Sequence, residues 1–229
     1  MATFCAACVA GGVLMVPKLT AILWDHDGVL VDTERLYFQA TRDVLGHAGV
    51  EFTADQYRQL LLVEGRGAWH LAEARGVRKE EIDKLRAARD HLYHDLLTRG
   101  DVLVAGALRL LERLRPRYRM AVVTTSQRAH FDAIHARTGL RELVEFVLTR
   151  EDYVHCKPHP EPYLQALERL SLPAEQCVVI EDSERGLRSA QAAGLCCWIV
   201  RSEFTAGFAF EGAERCFSSL AELGEGLFA

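Results

Sequence analysis

Five short runs along the chain are almost wholly apolar and end near polar or small residues: Leu19–Trp24, Arg119–Thr124, Phe146–Thr149, Gln176–Ile180 and Cys196–Val200. Unbroken apolarity over so few residues predicts strands buried on both faces. Helical spacing appears between them. Leu108, Leu111 and Leu114 share one helical face, with Pro116 as the stop. Phe131, Ile134 and Thr138 repeat in the same way ahead of Gly139, a residue suited to the left-handed turn that closes a helix. The stretches Pro162 to Leu170 and Arg185 to Ala193 predict two more helices, the second closed by Gly194. Strands alternating with helices predict an α/β fold, a Rossmann-like parallel sheet with helices on both faces.

One interval breaks the alternation. From about Leu36 to Gly100 no strand signal occurs. Thr53 and Gln56 have capping-box spacing, and Ile82, Leu85, Leu92 and Leu96 mark an amphipathic helix. The expected division is a core from residues 18–35 and 101–229, with an all-helical insert at 36–100. Residues 1–17 are apolar and small, without the basic opening of a secretory signal and too short to span a bilayer. They are expected to form a poorly ordered leader, with Met15 as an alternative start.

Composition narrows the partners. A formal net charge of −5, with no basic stripe, argues against a nucleic-acid partner. No segment predicts membrane insertion. Seven cysteines without framework spacing, three of them in apolar runs, fit a reducing, cytoplasmic setting. Cys5 and Cys8 form a C-x-x-C that lacks the second pair of a zinc site. The expected assembly is a monomer or weak dimer.

In open parallel sheets, ligands bind beyond the carboxyl ends of the strands. Asp25, His26, Asp27 and Gly28 follow the first predicted strand, and Thr124, Thr125 and Ser126 close the second. Lys157 precedes the fourth, and Glu181, Asp182 and Ser183 follow it. Carboxylates crowded on one rim cannot all ionise without a cation, and Mg²⁺ is the natural oxygen-seeking choice beside phosphate.

The segments WDHDGVLVDTE at 24–34, VVTTS at 122–126, CKPHPEPY at 156–163 and VIEDSERGLRSAQAAG at 179–194 resemble, in order, the four motifs of the haloacid dehalogenase (HAD) superfamily. The helical insert resembles that family's small cap. The resemblance implies a Mg²⁺-dependent phosphatase acting on a small phosphorylated metabolite. Asp25 would be the nucleophile that becomes an aspartyl-phosphate, and Asp27 the acid and then the base. Thr124 would bond the phosphoryl group, and Lys157 would hold nucleophile and phosphate by charge. Asp25, the Asp27 backbone carbonyl, Asp182 and, directly or through water, Glu181 would hold the metal. Ser183 is expected to cap the following helix.

Asp27 argues against dehalogenation, since a halide leaving group needs no proton. Lys79 and Lys84 are the insert's lysines, and a phosphonatase would need one of them as a Schiff base. A β-phosphoglucomutase-like mutase would carry a histidine where Tyr37 stands. A catalytically silent binding module of the same fold also stays open. Substrate contacts are expected from Thr125, Ser126 and Arg66, the last in a Gly-Arg-Gly loop of the insert. Trp69 fits the insert's core better than a stacking platform. His26, Cys156 and Ala105 depart from the family's usual wording, and the His26 ring is expected to point away from the nucleophile.

Overall fold

The computed structural model describes residues 18–228 except 101 and 137. The expectations for residues 1–17, including Cys5, Cys8 and Met15, lie outside the described residues. Strands β1 (Ala21–Trp24), β2 (Arg119–Val123), β3 (Phe146–Leu148), β4 (Cys177–Glu181) and β5 (Cys196–Val200) fall on the five apolar runs. A sixth strand, β6 (Arg215–Phe217), extends the parallel sheet, whose order is β3-β2-β1-β4-β5-β6. The apolar pattern does not announce β6, because its three residues include an arginine and an exposed cysteine. Helix α9 (Leu220–Phe228) is equally unannounced, and its Gly224 and Gly226 weaken helix propensity.

Successive residues of β1 serve opposite layers. Ile22 and Trp24 pack with Ile180, Leu111 and Phe131 on one face. Ala21 and Leu23 pack with Val179, Tyr163 and Leu187 on the other. Accordingly α5 (Ala107–Leu114), α6 (Arg128–His135) and α9 cover the first face, while α7 (Glu161–Leu170) and α8 (Glu184–Ala192) cover the second. Each large side chain fully buried this way contributes about 1.5–3 kcal/mol. The seam of α5 is Ala107, Leu110, Leu111 and Leu114, so Leu108 lies at its edge. Thr124 and Thr149, expected inside strands, fall one residue past them.

Between β1 and α5 the chain is helical, with α1 (Glu34–His47), α2 (Ala54–Tyr57), a wider π-helical turn at Arg58–Val63, α3 (His70–Glu73) and α4 (Lys79–Arg99). The Thr53–Gln56 capping box forms in both directions. Val44, Phe52, Tyr57, Trp69 and Ile82 make a separate apolar cluster. Along α4 the buried positions are Ile82, Arg89, Tyr93 and Leu97, with Leu85, Leu92 and Leu96 half-buried beside them. A buried arginine is the departure from the expected seam. The two chain passes joining this region to the sheet lie side by side, with the Asp32 N–H donating to the Val102 carbonyl at 2.7 Å. Among the described residues no helix is long and apolar enough to cross a membrane.

Candidate active site

The sheet order reverses around β1 and β4, and crevices open beyond the carboxyl ends at such switch points. Asp25 follows β1, and its N–H donates to the Ile180 carbonyl at 2.8 Å, which ties it to the end of β4. Gly28 then turns with φ +82°, and a Cβ there would sit 2.0 Å from Asp182 Oδ2. Glycine is required on both counts. The result brings ligand atoms of Asp25, Glu181 and Asp182 within 4.8 Å of one another, all three residues buried.

Lys157 is the counter-charge. Its Nζ donates to Asp25 Oδ1 at 2.6 Å, Glu181 Oε1 at 2.7 Å and the Val123 carbonyl at 2.8 Å. These three acceptors use every donor an ammonium has. Burial works against the charge of Lys157, but Asp25 and Glu181 outweigh it and hold the ammonium well above its ordinary value. Burial, then the charges of Glu181 and Asp27, push Asp25 up to about 7 despite Lys157. Burial, then Glu34, Asp25 and Glu181, drive Asp182 far above the carboxylate range.

Glu181 and Asp182 are neighbours with different fates. Glu181 Oε1 accepts from Lys157 and from the Tyr163 hydroxyl at 2.9 Å. Its Oε2 accepts from Ser183 Oγ at 2.9 Å and from the Asp182 and Ser183 N–H groups. A Cβ at Gly186 would lie 1.8 Å from the Glu181 carboxyl, so that glycine makes room for it under α8. Both Glu181 oxygens are thus engaged by protein donors. Asp182 Oδ2, by contrast, is buried without a hydrogen-bond partner. An orphaned buried carboxylate oxygen beside two more carboxylates suits a hard divalent cation. Ser183 caps α8, accepting from the Gly186 N–H at 3.1 Å.

Asp27 is surrounded by donors. Its Oδ1 accepts from Thr33 Oγ1 at 2.5 Å, and its Oδ2 from Thr124 Oγ1 at 3.0 Å and Ser126 Oγ at 2.7 Å. His26 is fully buried, and its Nδ1 lies 3.2 Å from the same Oδ2. Burial opposes ionisation of Asp27, but the His26 ring and the Thr33 and Ser126 hydroxyls hold its carboxyl below the usual range. The Thr124 hydroxyl, expected to face a phosphoryl group, is here engaged by Asp27 and by the Ser126 N–H.

Above these groups lies a cavity of about 420 Å³ that also takes in Thr125, Ser126, Arg66, Arg89, Arg150 and Arg185. Arg66 reaches it from an exposed loop, ion-paired with Glu64 at 2.5 Å. Arg89 donates to the Tyr37 hydroxyl, the position where a mutase would carry histidine. Lys79 and Lys84 are exposed and line no part of this cavity. Sequence reasoning overlooked Glu34, Tyr37 as a wall, Arg89 and Tyr163. Glu34 Oε2 is buried without a partner, and burial, followed by Asp27 and Asp25, pushes its carboxyl up to about 8. The signal for Glu34 was present, since it ends the first motif.

His155, His159 and Glu161 also approach metal-ligand spacing. That group has another explanation. The Glu161 oxygens accept the Val154 and His155 N–H groups at 2.8 and 2.9 Å and the His155 ring at 2.8 Å, which staples the loop to the start of α7.

The family model described as haloacid dehalogenase-like hydrolase matches residues 19–194. The chain is 33% identical to protein CbbY of Rhodobacter capsulatus, over 86% of this chain and 92% of that protein. It is 29% identical to the fructose-1-phosphate phosphatase YqaB of Escherichia coli, over 79% of this chain and 96% of that one. A solved structure of CbbY from Rhodobacter sphaeroides, in complex with xylulose-(1,5)bisphosphate, superposes with a TM-score of 0.75 at 29% identity, covering 90% of this chain and 97% of that one.

Proposed function

From the premise that the chain belongs to the haloacid dehalogenase-like hydrolases, we propose that it is a Mg²⁺-dependent phosphatase of a small phosphorylated sugar, working through an aspartyl-phosphate on Asp25. The observation that carries this reading is the pairing of a Lys157-clamped Asp25 carboxylate with the orphaned Asp182 Oδ2, next to a cavity that Asp27 and Lys157 line.

Asp25 and Asp182, with the backbone carbonyl of Asp27, would hold the metal, and Glu181 would serve by anchoring Lys157. The ion supplies neutralisation of charge on phosphoryl oxygens when bound. Lys157 opposes the protonation that burial favours at Asp25 and aims its carboxyl, so that one carboxylate oxygen can attack phosphorus. The leaving ester oxygen takes a proton from Asp27. In the second step Asp27 accepts a proton from water as that water displaces phosphate from Asp25.

A sugar phosphate fits the four arginines that line the cavity, Arg66, Arg89, Arg150 and Arg185, and it fits the relatives. A phosphorylated carbohydrates phosphatase of Thermotoga maritima is 32% identical over 77% of this chain. Tyr37 in place of a mutase histidine favours water as the final acceptor. The test is phosphate release from a panel of sugar phosphates and para-nitrophenyl phosphate, with Mg²⁺ and with chelator. Turnover only with the metal is expected; no release from any ester in either condition would leave a silent module, and turnover that survives chelation would remove the metal from the proposal.

A further inference from the structure

Arg185 stands apart from the other arginines that line the cavity. Arg66 is ion-paired with Glu64, Arg89 donates to Asp90 Oδ1 at 2.7 Å and to the Tyr37 hydroxyl, and Arg150 donates to the Tyr153 carbonyl at 3.0 Å. The Arg185 guanidinium has no hydrogen-bond or ion-pair partner among the described residues, and its Nε is buried without one. The adjacent acid, Glu184, does not serve it, because that carboxylate pairs with Arg188 one turn on at 2.8 Å.

The side chain is nevertheless held in place. Arg185 lies half-buried in the first turn of α8, and the loop of the helical insert passes against its stem. A Cβ on Gly65 would lie 2.9 Å from Arg185 Cδ, and Gly65 turns with φ +67°. Ordering a long side chain and burying an unpaired guanidinium nitrogen are both unfavourable. No described group of the protein offsets them.

Glu34, on the wall of the same cavity, is the complement. Its Oε2 is buried without a partner, and its charge and that of Arg185 act on each other, yet no ion pair joins the two. A donor without an acceptor and a carboxyl oxygen without a partner thus line one cavity. A hydroxyl group answers both, since it accepts from a guanidinium and donates to a carboxylate oxygen. The match holds whether or not Glu34 carries a proton, because a hydroxyl can also accept. An anion only accepts, and an ionised Glu34 would repel it. We propose that Arg185 is a specificity-determining residue that donates to a hydroxyl on the carbon chain of the substrate, with Glu34 as that hydroxyl's second partner. The cavity then selects polyhydroxy esters over plain alkyl ones.

This inference rests on the cavity being the sugar-phosphate site, and the measurements keep the two apart. In an Asp25→Asn background, where nothing turns over, calorimetry with Mg²⁺ gives Kd for fructose 1-phosphate, hexyl phosphate and fructose 1,6-bisphosphate. Adding Arg185→Met should weaken both fructose esters about thirtyfold and hexyl phosphate by less than about threefold. Equal weakening of all three, or of none, would overturn the proposal, and a loss confined to the bisphosphate would assign Arg185 to a second anion instead. Arg185→Lys keeps the charge and most of the stem against Gly65, so it answers the same question if the Met variant fails to fold. It should regain only part of the fructose affinity. If Arg185 merely neutralised Glu34, adding Glu34→Gln to Arg185→Met would restore affinity; no restoration is expected. Wild-type protein that releases phosphate from no ester, beside selective binding in the Asp25→Asn background, would remove the phosphatase reading and leave the hydroxyl contact. Turnover by wild type beside unselective weakening would remove the contact alone.

Discussion

The floor and the roof of the cavity use the same residue types and hold them differently. On the floor, the Lys157 side chain is 3% exposed and spends all its donors on fixed acceptors, two of them carboxylates from separate strand ends. On the roof, the Arg66 side chain is 57% exposed and has one carboxylate neighbour from its own loop. The floor is preorganised, so its charges cost no rearrangement when a phosphoryl group arrives. The roof is held by fewer contacts, which suits a surface that admits substrate and releases product. The comparison predicts that floor substitutions act on rate and stability, and roof substitutions on affinity.

The hardest blow to the floor is Asp25→Asn. Turnover should fall on the order of 10⁴-fold or more while the melting temperature holds or rises, since a costly buried charge is removed. Retained activity in a phosphate-release assay would contradict the nucleophile assignment. Lys157→Met should also silence the enzyme, and in addition destabilise it by about 3–5 kcal/mol by leaving Asp25 and Glu181 buried without a counter-charge. Adding Asp25→Asn to that variant should recover part of the melting temperature; no recovery would mean that Lys157 stabilises through packing alone.

Metal addition is the next largest effect. The Asp25 carboxyl sits at about 7 in the fold against 3.8 for an ordinary aspartate, so the folded state holds its proton more tightly than the unfolded chain. Metal-free protein should therefore lose stability as pH rises from about 4 to 7. A cation that replaces the proton should restore more as pH rises through the same window, by about 2.7 kcal/mol at a hundredfold excess over Kd. Thermal shift with and without Mg²⁺ at about pH 5.5 and 8 measures this, and Asp182→Asn should erase most of the increment. An increment that shrinks with pH would separate the metal from these carboxylates.

The roof should respond most gently. Arg66→Ala is expected to raise KM up to about tenfold for a sugar phosphate, with stability changed by no more than about 0.5 kcal/mol. A fall in kcat with KM unchanged would place Arg66 with the floor instead.

The floor was also far more legible in the sequence. Asp25, Asp27 and Asp182 each stand just past a strand signal, Lys157 sits in the third of the four ordered motifs, and a parallel sheet gathers strand ends at one rim. The roof carries no such rule. Arg89 lies mid-helix among charged residues, and nothing in the helical period says that it turns inward against Tyr37. Glu181 shows the limit even on the floor. Its place beside Asp182 suggested a metal ligand, but Gly186 and Tyr163, supplied by two different helices, give it another use.

By itself, then, the order of apolar runs and the residues that punctuate them determined the α/β sheet, the helical interval and the rim where the chemistry gathers. Those features follow from local period and from the geometry of parallel strands. Tertiary packing alone decided which carboxylate oxygen stays unpartnered, that β6 joins the sheet edge, and that His26 finds His135 more than a hundred residues away. A hydrogen bond between distant side chains depends on how α6 lies against the sheet, and no periodicity in the chain encodes that contact.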